Sequence, residues 1–255
     1  MMDRKRLSQS KCIIIWILVI FCFPQLCMSS NEKLISSLAP EFIDGANADI
    51  LKAVAWKLGA RLEIKHAPFK RRLRMMEAGQ IDVMVGLLKN PERKKYIHYI
   101  EPPYKNRSDT VFFVPRGKTH RVRRYADLYH LRIGIIVGSK YFPTFDNDSR
   151  LNTDVCIYAK SNLKKLMAGR IDAAVFPESA GIDLIDSMGI KEHVAIADFR
   201  YSRQKLVYIG ISKKSHLMNS IKQIEDTLRT MIESGEISQV IVEHYTRRGL
   251  PVPAF

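Results

Sequence analysis

The chain has 255 residues, 46% of them hydrophobic and 26% charged, with a formal net charge of +15. That length suffices for one large domain or two modest ones, each with its own core. Three of the four cysteines (Cys12, Cys22, Cys27) fall in the first 29 residues, and only Cys156 lies beyond. Once those residues are removed, an intrachain disulfide and a cysteine-based metal site are both excluded.

The first segment reads as a leader. Arg4, Lys5, Arg6 and Lys11 make a basic start, Cys12 to Phe23 is an unbroken apolar run of 12 residues, Pro24 breaks it, and Ser29 and Ser30 follow. This is the order of a secretory signal peptide, too short for a membrane span, which needs about 20 apolar residues. Cleavage is expected after Ser29. Phe21 before Cys22 and Leu26 before Cys27 do not suit lipidation. Loss of four bases and Asp3 takes the net charge from +15 to +12. Export, and the lack of an Arg/Lys stripe interleaved with aromatics, argue against a nucleic-acid partner. A basic surface suits an anionic ligand, contact with anionic lipid, or simply a soluble basic exported protein.

Beyond the leader, Lys33 to Leu38 reads as a strand. Ala46 to Leu58 has helical spacing, with Ile50, Leu51, Val54 and Leu58 on one face and Gly59 as the stop. A strand over Arg61 to His66 follows, then a helix from Pro68 through Met76, a doubly apolar strand over Ile81 to Leu88, and a short basic helix at Pro91. This β-α-β-α-β order predicts a parallel sheet covered by helices. Thr110 to Val114 is β-rich and reads as the exit from a first lobe. Tyr125 to Tyr129 is a short helix and Arg132 to Val137 a strand ended by Gly138-Ser139. The rhythm then repeats: a strand over Val155 to Tyr158, a helix over Ser161 to Met167, a strand over Ile171 to Phe176 and a helix over Glu178 to Met188. Val194 to Ala197 is a further strand, and Leu206 to Ile211 returns to the first lobe. Helices over His216 to Ile232 and Ile237 to Tyr245 end the chain.

One phrase occurs twice, ninety positions apart: MMEAGQIDVMV at 75–85 and KLMAGRIDAAV at 165–175. Ala78/Ala168, Gly79/Gly169, Ile81/Ile171, Asp82/Asp172 and Val85/Val175 coincide. Each copy reads as a helix end, a helix-stopping glycine and a buried strand. Two such units imply two similar α/β lobes with a cleft between them, and ligands of open α/β sheets bind beyond the carboxyl ends of the strands. Two crossings between the lobes make a hinge. Asp82 and Asp172 stand at strand entrances, on the end away from the cleft, and read as structural.

These segments resemble the family 3 periplasmic solute-binding proteins, the polar amino-acid type of ABC importer receptor. The resemblance is carried by GANADIL at 45–51, the Ala-Gly-x-hydrophobic-Asp phrase within 76–86, GLLKNPER at 86–93, EPPY at 101–104, IGIIVGS at 133–139 and AGRIDAAV at 168–175. It covers almost all of the mature chain. It implies a two-lobed type II periplasmic-binding-protein fold, α/β, with two hinge strands and a ligand cleft between the lobes. The expected division is a signal peptide at 1–29, the first part of lobe 1 at 30–112, lobe 2 at 113–205, and a return to lobe 1 with the C-terminal helices at 206–255.

Site candidates follow from both sources. Arg93 lies past the carboxyl end of a central strand, and a guanidinium fits a carboxylate bidentately. By resemblance it matches the arginine that grips the ligand's α-carboxylate. It reads otherwise as one more base of a solvated run. Gly138 and Ser139 precede an expected helix, whose backbone N–H groups would make an anion site; they read equally as an ordinary βα turn. Lys140 adds charge there or points to water. Phe69 is a ligand platform or a core aromatic, and Tyr104 and Phe42 share that ambiguity. Leu88 and Asn90 stand where the family carries threonines. Pro177 stands where the family carries the acid that pairs with the ligand ammonium, so Glu178 is the substitute, or else it merely favours the next helix's N-terminus.

The expected function is capture of a small carboxylate-bearing solute, an amino acid or relative, in the periplasm for an inner-membrane ABC permease. The protein is expected to act as a monomer with no cofactor, no metal and no chemistry. An exported enzyme on the same fold, like the cyclohexadienyl dehydratases, is the alternative; it needs an acid/base pair, and Glu178 is the one cleft acid the sequence suggests. A ligand sensor acting through a membrane partner is the other. Ser/His/Asp, zinc-ligand and P-loop motifs are absent, and the seven histidines are scattered.

Overall fold

The computed structural model describes residues 32–255, so the expected leader at 1–29 lies outside the described residues. The first sheet is built from β1 (Lys33–Leu38), β2 (Arg61–His66), β3 (Val83–Leu87), β4 (Ile97–Tyr99), β5 (Lys105–Arg107) and a late strand, Gln204–Ser212. The second holds β6 (Thr110–Pro115), β7 (Arg132–Ile136), β8 (Asn152–Cys156), β9 (Ala173–Pro177) and β10 (Val194–Tyr201). The late strand is β11. Spatial order is β2-β1-β3-β11-β4 in the first sheet, with β5 also on β11, and β10-β6-β9-β7-β8 in the second.

Each sheet contains the same parallel trio: β2-β1-β3 in one and β8-β7-β9 in the other. The β-α-β-α-β segment thus gives the expected parallel strands, and the sheets as wholes are mixed. β11 runs antiparallel to β3, and β6 antiparallel to β9. The physical reason is the direction of entry. Parallel strands end at the cleft, so a strand arriving from the other lobe starts there and runs the opposite way.

The helices bury the faces their periodicity marks. On α1 (Ala46–Lys57), Ile50, Leu51 and Val54 are fully buried against the first sheet. On α7 (Ile221–Glu233), Ile224, Leu228 and Met231 form the apolar stripe, and α8 (Glu236–Arg247) adds Ile237, Ile241 and Tyr245. In the second lobe, α5 (Ala159–Met167) and α6 (Glu178–Ser187) pack with Phe113, Ile171 and Phe176. Cys156 is buried and free. No helix among the described residues is long and apolar enough to cross a membrane.

The repeated phrase has one structure in both places. Gly79 ends α2 (Phe69–Ala78) with φ +71°, and Gly169 follows α5 with φ +67°. The N–H groups of Gly79 and Gln80 donate to Met76 and Met75, and those of Gly169 and Arg170 donate to Leu166 and Lys165. Asp82 then docks on the neighbouring strand: its N–H donates to Ile35 at 2.7 Å and its carboxylate accepts from the N–H of Ile35 at 2.8 Å. Asp172 does the same with Arg132, at 2.8 and 3.0 Å.

The crossings differ in detail from the sequence expectation. β6 lies entirely in the second sheet, so the chain leaves the first at Ser108 and Asp109, and a boundary at 112/113 would cut through a strand. The return falls between β10 and β11, at Ser202 and Arg203. Asp109 staples the two crossings together. Its buried carboxylate accepts from Arg107 at 2.8 and 2.9 Å, from Ser202 at 2.7 Å and from Arg200 at 3.2 Å. Burial works against the charge, but these donors outweigh it and hold the Asp109 carboxyl below the usual range. Three expected elements are shifted: the strand placed at 155–158 is at Asn152–Cys156, that placed at 194–197 runs on to Tyr201, and the first turn of the helix placed at 216 is 3-10. The short strands β4 and β5 were not foreseen.

Candidate functional site

A cavity of about 210 Å³ lies between the lobes, walled by residues from both. It is smaller than the ~300–1,000 Å³ of sites for drug-sized ligands, so it suits a small solute. Arg93 sits in its wall. It is held there by α3 (Pro91–Lys94), a single turn that opens with Pro91 and is capped by Asn90, whose side chain accepts from the Arg93 N–H at 2.8 Å. Arg93 is only 5% exposed. Its guanidinium lies 5.3 Å from the Phe69 ring centre, donates to the Leu88 carbonyl at 3.3 Å and makes a long 3.5 Å contact to the Gly138 carbonyl across the cleft. Burial lowers its pKa from the usual arginine value.

Of the sequence candidates, Arg93, Phe69, Leu88, Ser139 and Tyr104 line the cavity, as do Phe42 and Lys140. Asn90, Gly138 and Glu178 do not. Asn90 acts one step back, as the cap that places Arg93. Gly138 offers Arg93 a carbonyl rather than offering an anion its N–H. The expected helix start is missing there, because α4 (Pro143–Asp146) begins later and spans one turn, while the Ser139 N–H is tied to Ile136 at 3.1 Å. Glu178 turns to the hinge, where it pairs with Arg200 at 3.2 Å and its N–H donates to the Asp109 carbonyl.

The acids that do face the cavity are Glu41 and Asp183, neither singled out by the sequence. Each reaches across the cleft to the start of a helix in the opposite lobe. Glu41 accepts from the N–H of Ala159, first residue of α5, at 2.8 Å, and Asp183 accepts from the N–H of Ala46, first residue of α1, at 3.0 Å. Behind Asp183 stands His244, 1% exposed, hydrogen-bonded to Asp183 at 3.0 Å and to Asp49 at 2.8 Å. Burial opposes a charge on His244, yet the two carboxylates outweigh it and raise its pKa. The buried base Lys105 and the half-buried Arg72 and Lys205 also line the cavity. Arg72 had a legible signal: it shares with Phe69 and Met76 the helical face spaced i, i+3, i+7. Lys105 and Lys205 had none, since their strands are set by the hinge. No group of three or more His, Cys, Asp or Glu suited to a metal ion occurs among the described residues.

Comparison with known proteins bears on this geometry. A probable histidine-binding protein of Neisseria gonorrhoeae is 23% identical over 216 residues, covering 81% of this chain and 76% of that protein. A probable amino-acid-binding protein of Bacillus subtilis is 21% identical over 190 residues, 73% of this chain and 71% of that one. Among solved structures, an amino acid ABC transporter substrate-binding protein from Streptococcus pneumoniae bound to L-arginine superimposes with a TM-score of 0.70 at 21% identity, over 85% of this chain and 95% of that chain. The fold is thus the two-lobed one that the repeat and the motifs implied. The family profile of the bacterial extracellular solute-binding proteins, family 3, matches residues 34–247, and the chain belongs to that family.

Proposed function

We propose that this protein is exported behind a cleaved leader at 1–29 and works in the periplasm as a monomer. It captures a small carboxylate-bearing solute, an amino acid or relative, between its lobes and presents the closed form to an inner-membrane ABC permease. The observation that carries this reading is Arg93: a buried guanidinium in the wall of an inter-lobe cavity, its fork engaged among the described residues by two carbonyl groups at 3.3 and 3.5 Å. Such a fork binds a carboxylate bidentately. The names of the relatives supply the ligand class, since they bind histidine, amino acids or L-arginine.

An enzyme on this fold would need a free acid and base at the cavity. Glu41 and Asp183 are both engaged with helix N–H groups, which favours binding without chemistry. Small-angle scattering with and without saturating ligand tests the receptor reading. The hinge should close and the radius of gyration fall; superimposable curves sink it. Turnover of prephenate or arogenate would replace the receptor with an enzyme.

A further inference from the structure

The charges around the cavity are unbalanced. Five bases line it (Arg72, Arg93, Lys105, Lys140, Lys205) against two acids, Glu41 and Asp183. The acids are already engaged, Glu41 with the α5 start and Asp183 with the α1 start and His244. Lys140 is exposed, but the other four bases are wholly or half buried. Among the described residues, none of those four has a carboxylate within 4.0 Å, and the Nε of Arg72 is buried with no hydrogen-bond partner.

The four fall in two places. Arg72 and Arg93 flank Phe69, each guanidinium carbon 5.3 Å from the ring centre. Lys105 and Lys205 stand on β5 and β11, which pair at the crossings. Lys105 is 7% exposed, and Lys205 donates to the Thr110 hydroxyl at 2.9 Å. Burial pushes Arg72 down to about 10 and both lysines down to about 8. Glu41 acts against this at Arg72, Asp183 at Lys105, and Asp146 and Asp109 at Lys205, but burial prevails in each case. A buried cation without a counter-charge is costly, and a bound anion relieves it.

We propose that the ligand is a small dianion, an acidic amino acid or a dicarboxylic acid. One carboxylate lies on Arg72 and Arg93 and the other on Lys105 and Lys205. The inference rests on the solute-binding reading and narrows its substrate class. A single carboxylate is satisfied by one guanidinium fork, so the lysine pair at the hinge specifies a second. A ligand with a cationic side chain would set like charge against those lysines, which is discrimination by repulsion.

Calorimetric titration of the purified protein near neutral pH tests this with L-glutamate, L-aspartate, succinate and glutarate against L-glutamine, L-asparagine and L-arginine. The acids should bind at least about tenfold tighter than the amides of the same shape. Lys105→Met should remove most of the glutamate-over-glutamine ratio. The ligand-free variant should melt no lower than the parent, because the change removes an unpaired buried charge. If Lys105→Met fails to fold, Lys205→Gln carries the same comparison. Tighter binding of an amide or of arginine overturns the dianion proposal and leaves the solute-binding reading standing. A panel without any binder overturns the dianion proposal and leaves the wider solute-binding reading to the scattering test. A Lys105→Met protein that keeps the ratio and melts lower makes Lys105 structural and overturns its place in the site.

Discussion

The two copies of the Ala-Gly-x-Ile-Asp unit share a helix stop, an aspartate dock and a central strand, and then they part. Past β3 the chain runs through Leu88 and Asn90 into the one-turn α3 and delivers Arg93 to the cavity. Past β9 it runs through Pro177 directly into α6, and the side chain at the matching exit, Glu178, turns to Arg200 at the hinge. The shared part builds a lobe, and the few residues after the strand decide what that lobe contributes. This is the expected division of labour in open α/β sheets, where ligands meet the loops beyond the carboxyl ends of the strands. It also separates the roles of the walls: the first lobe and the crossings supply the four buried or half-buried bases, while the second lobe contributes Asp183 and an apolar surface that includes Ile136 and Phe176.

The largest test of that contrast is at the two exits. Arg93→Ala should weaken ligand binding by about 2–5 kcal/mol, the cost of leaving a buried carboxylate unpaired. Glu178→Ala should leave titrated affinity within about threefold, because it removes a partly solvated hinge pair. Equal losses would return Glu178 to the site.

Within the shared unit the two aspartates should differ next. Asp82 is buried and also accepts from the Ser215 hydroxyl at 2.6 Å, whereas the Asp172 carboxylate is about a third exposed and meets Arg121. Urea unfolding should give a loss of about 3 kcal/mol for Asp82→Ala and about 1 kcal/mol for Asp172→Ala. Similar values would mean that docking on the neighbouring strand, common to both, is the whole effect.

The glycines make a smaller comparison. Both have positive φ, so alanine at either should cost about 1–2 kcal/mol. At Gly79 the added methyl would also meet the Lys214 Cβ at 2.8 Å, while at Gly169 nothing lies within 4 Å. Gly79→Ala should therefore unfold at the lower denaturant concentration.

The smallest effect concerns the tie between the lobes. His244 has its pKa raised by Asp183 of the second lobe and Asp49 of the first, against burial. A raised folded-state value contributes stability that is complete below the unfolded histidine value near 6.5 and is lost as pH rises through the folded value. Stability should decline as pH rises above about 6.5, and His244→Gln should flatten that slope. A slope unchanged in the variant would remove His244 as its source.

Much of the architecture was legible because it is written locally. Helical spacing marked Ile50, Leu51 and Val54 as the buried face of α1, and the Gly79 and Gly169 stops fall where the chain has positive φ. The mixed sheets were not legible, since strand direction at a crossing depends on which lobe the chain arrives from. β4 and β5 are three residues each and carry no periodicity to detect. The site was half legible. Arg93 and Phe69 stand on motifs, but the engaged acids do not: Asp183 follows Glu178 by five residues within α6, and only the approach of the two lobes brings it to Ala46 and His244.

By itself, then, the sequence determined the two lobes, their helix ends and strand entrances, and the guanidinium past the end of β3. Those depend on periodicity, on the conformational freedom of glycine and on hydrogen bonds between near neighbours in the chain or adjacent strands. Tertiary structure alone decided the charge of the cavity. Lys105 and Lys205 come from a three-residue strand and the returning strand, far apart in the chain, with no pattern to mark them, and Arg72 had only its place on the Phe69 face of α2. What makes them a site is burial without a carboxylate partner, and burial is a property of the two lobes together rather than of any segment.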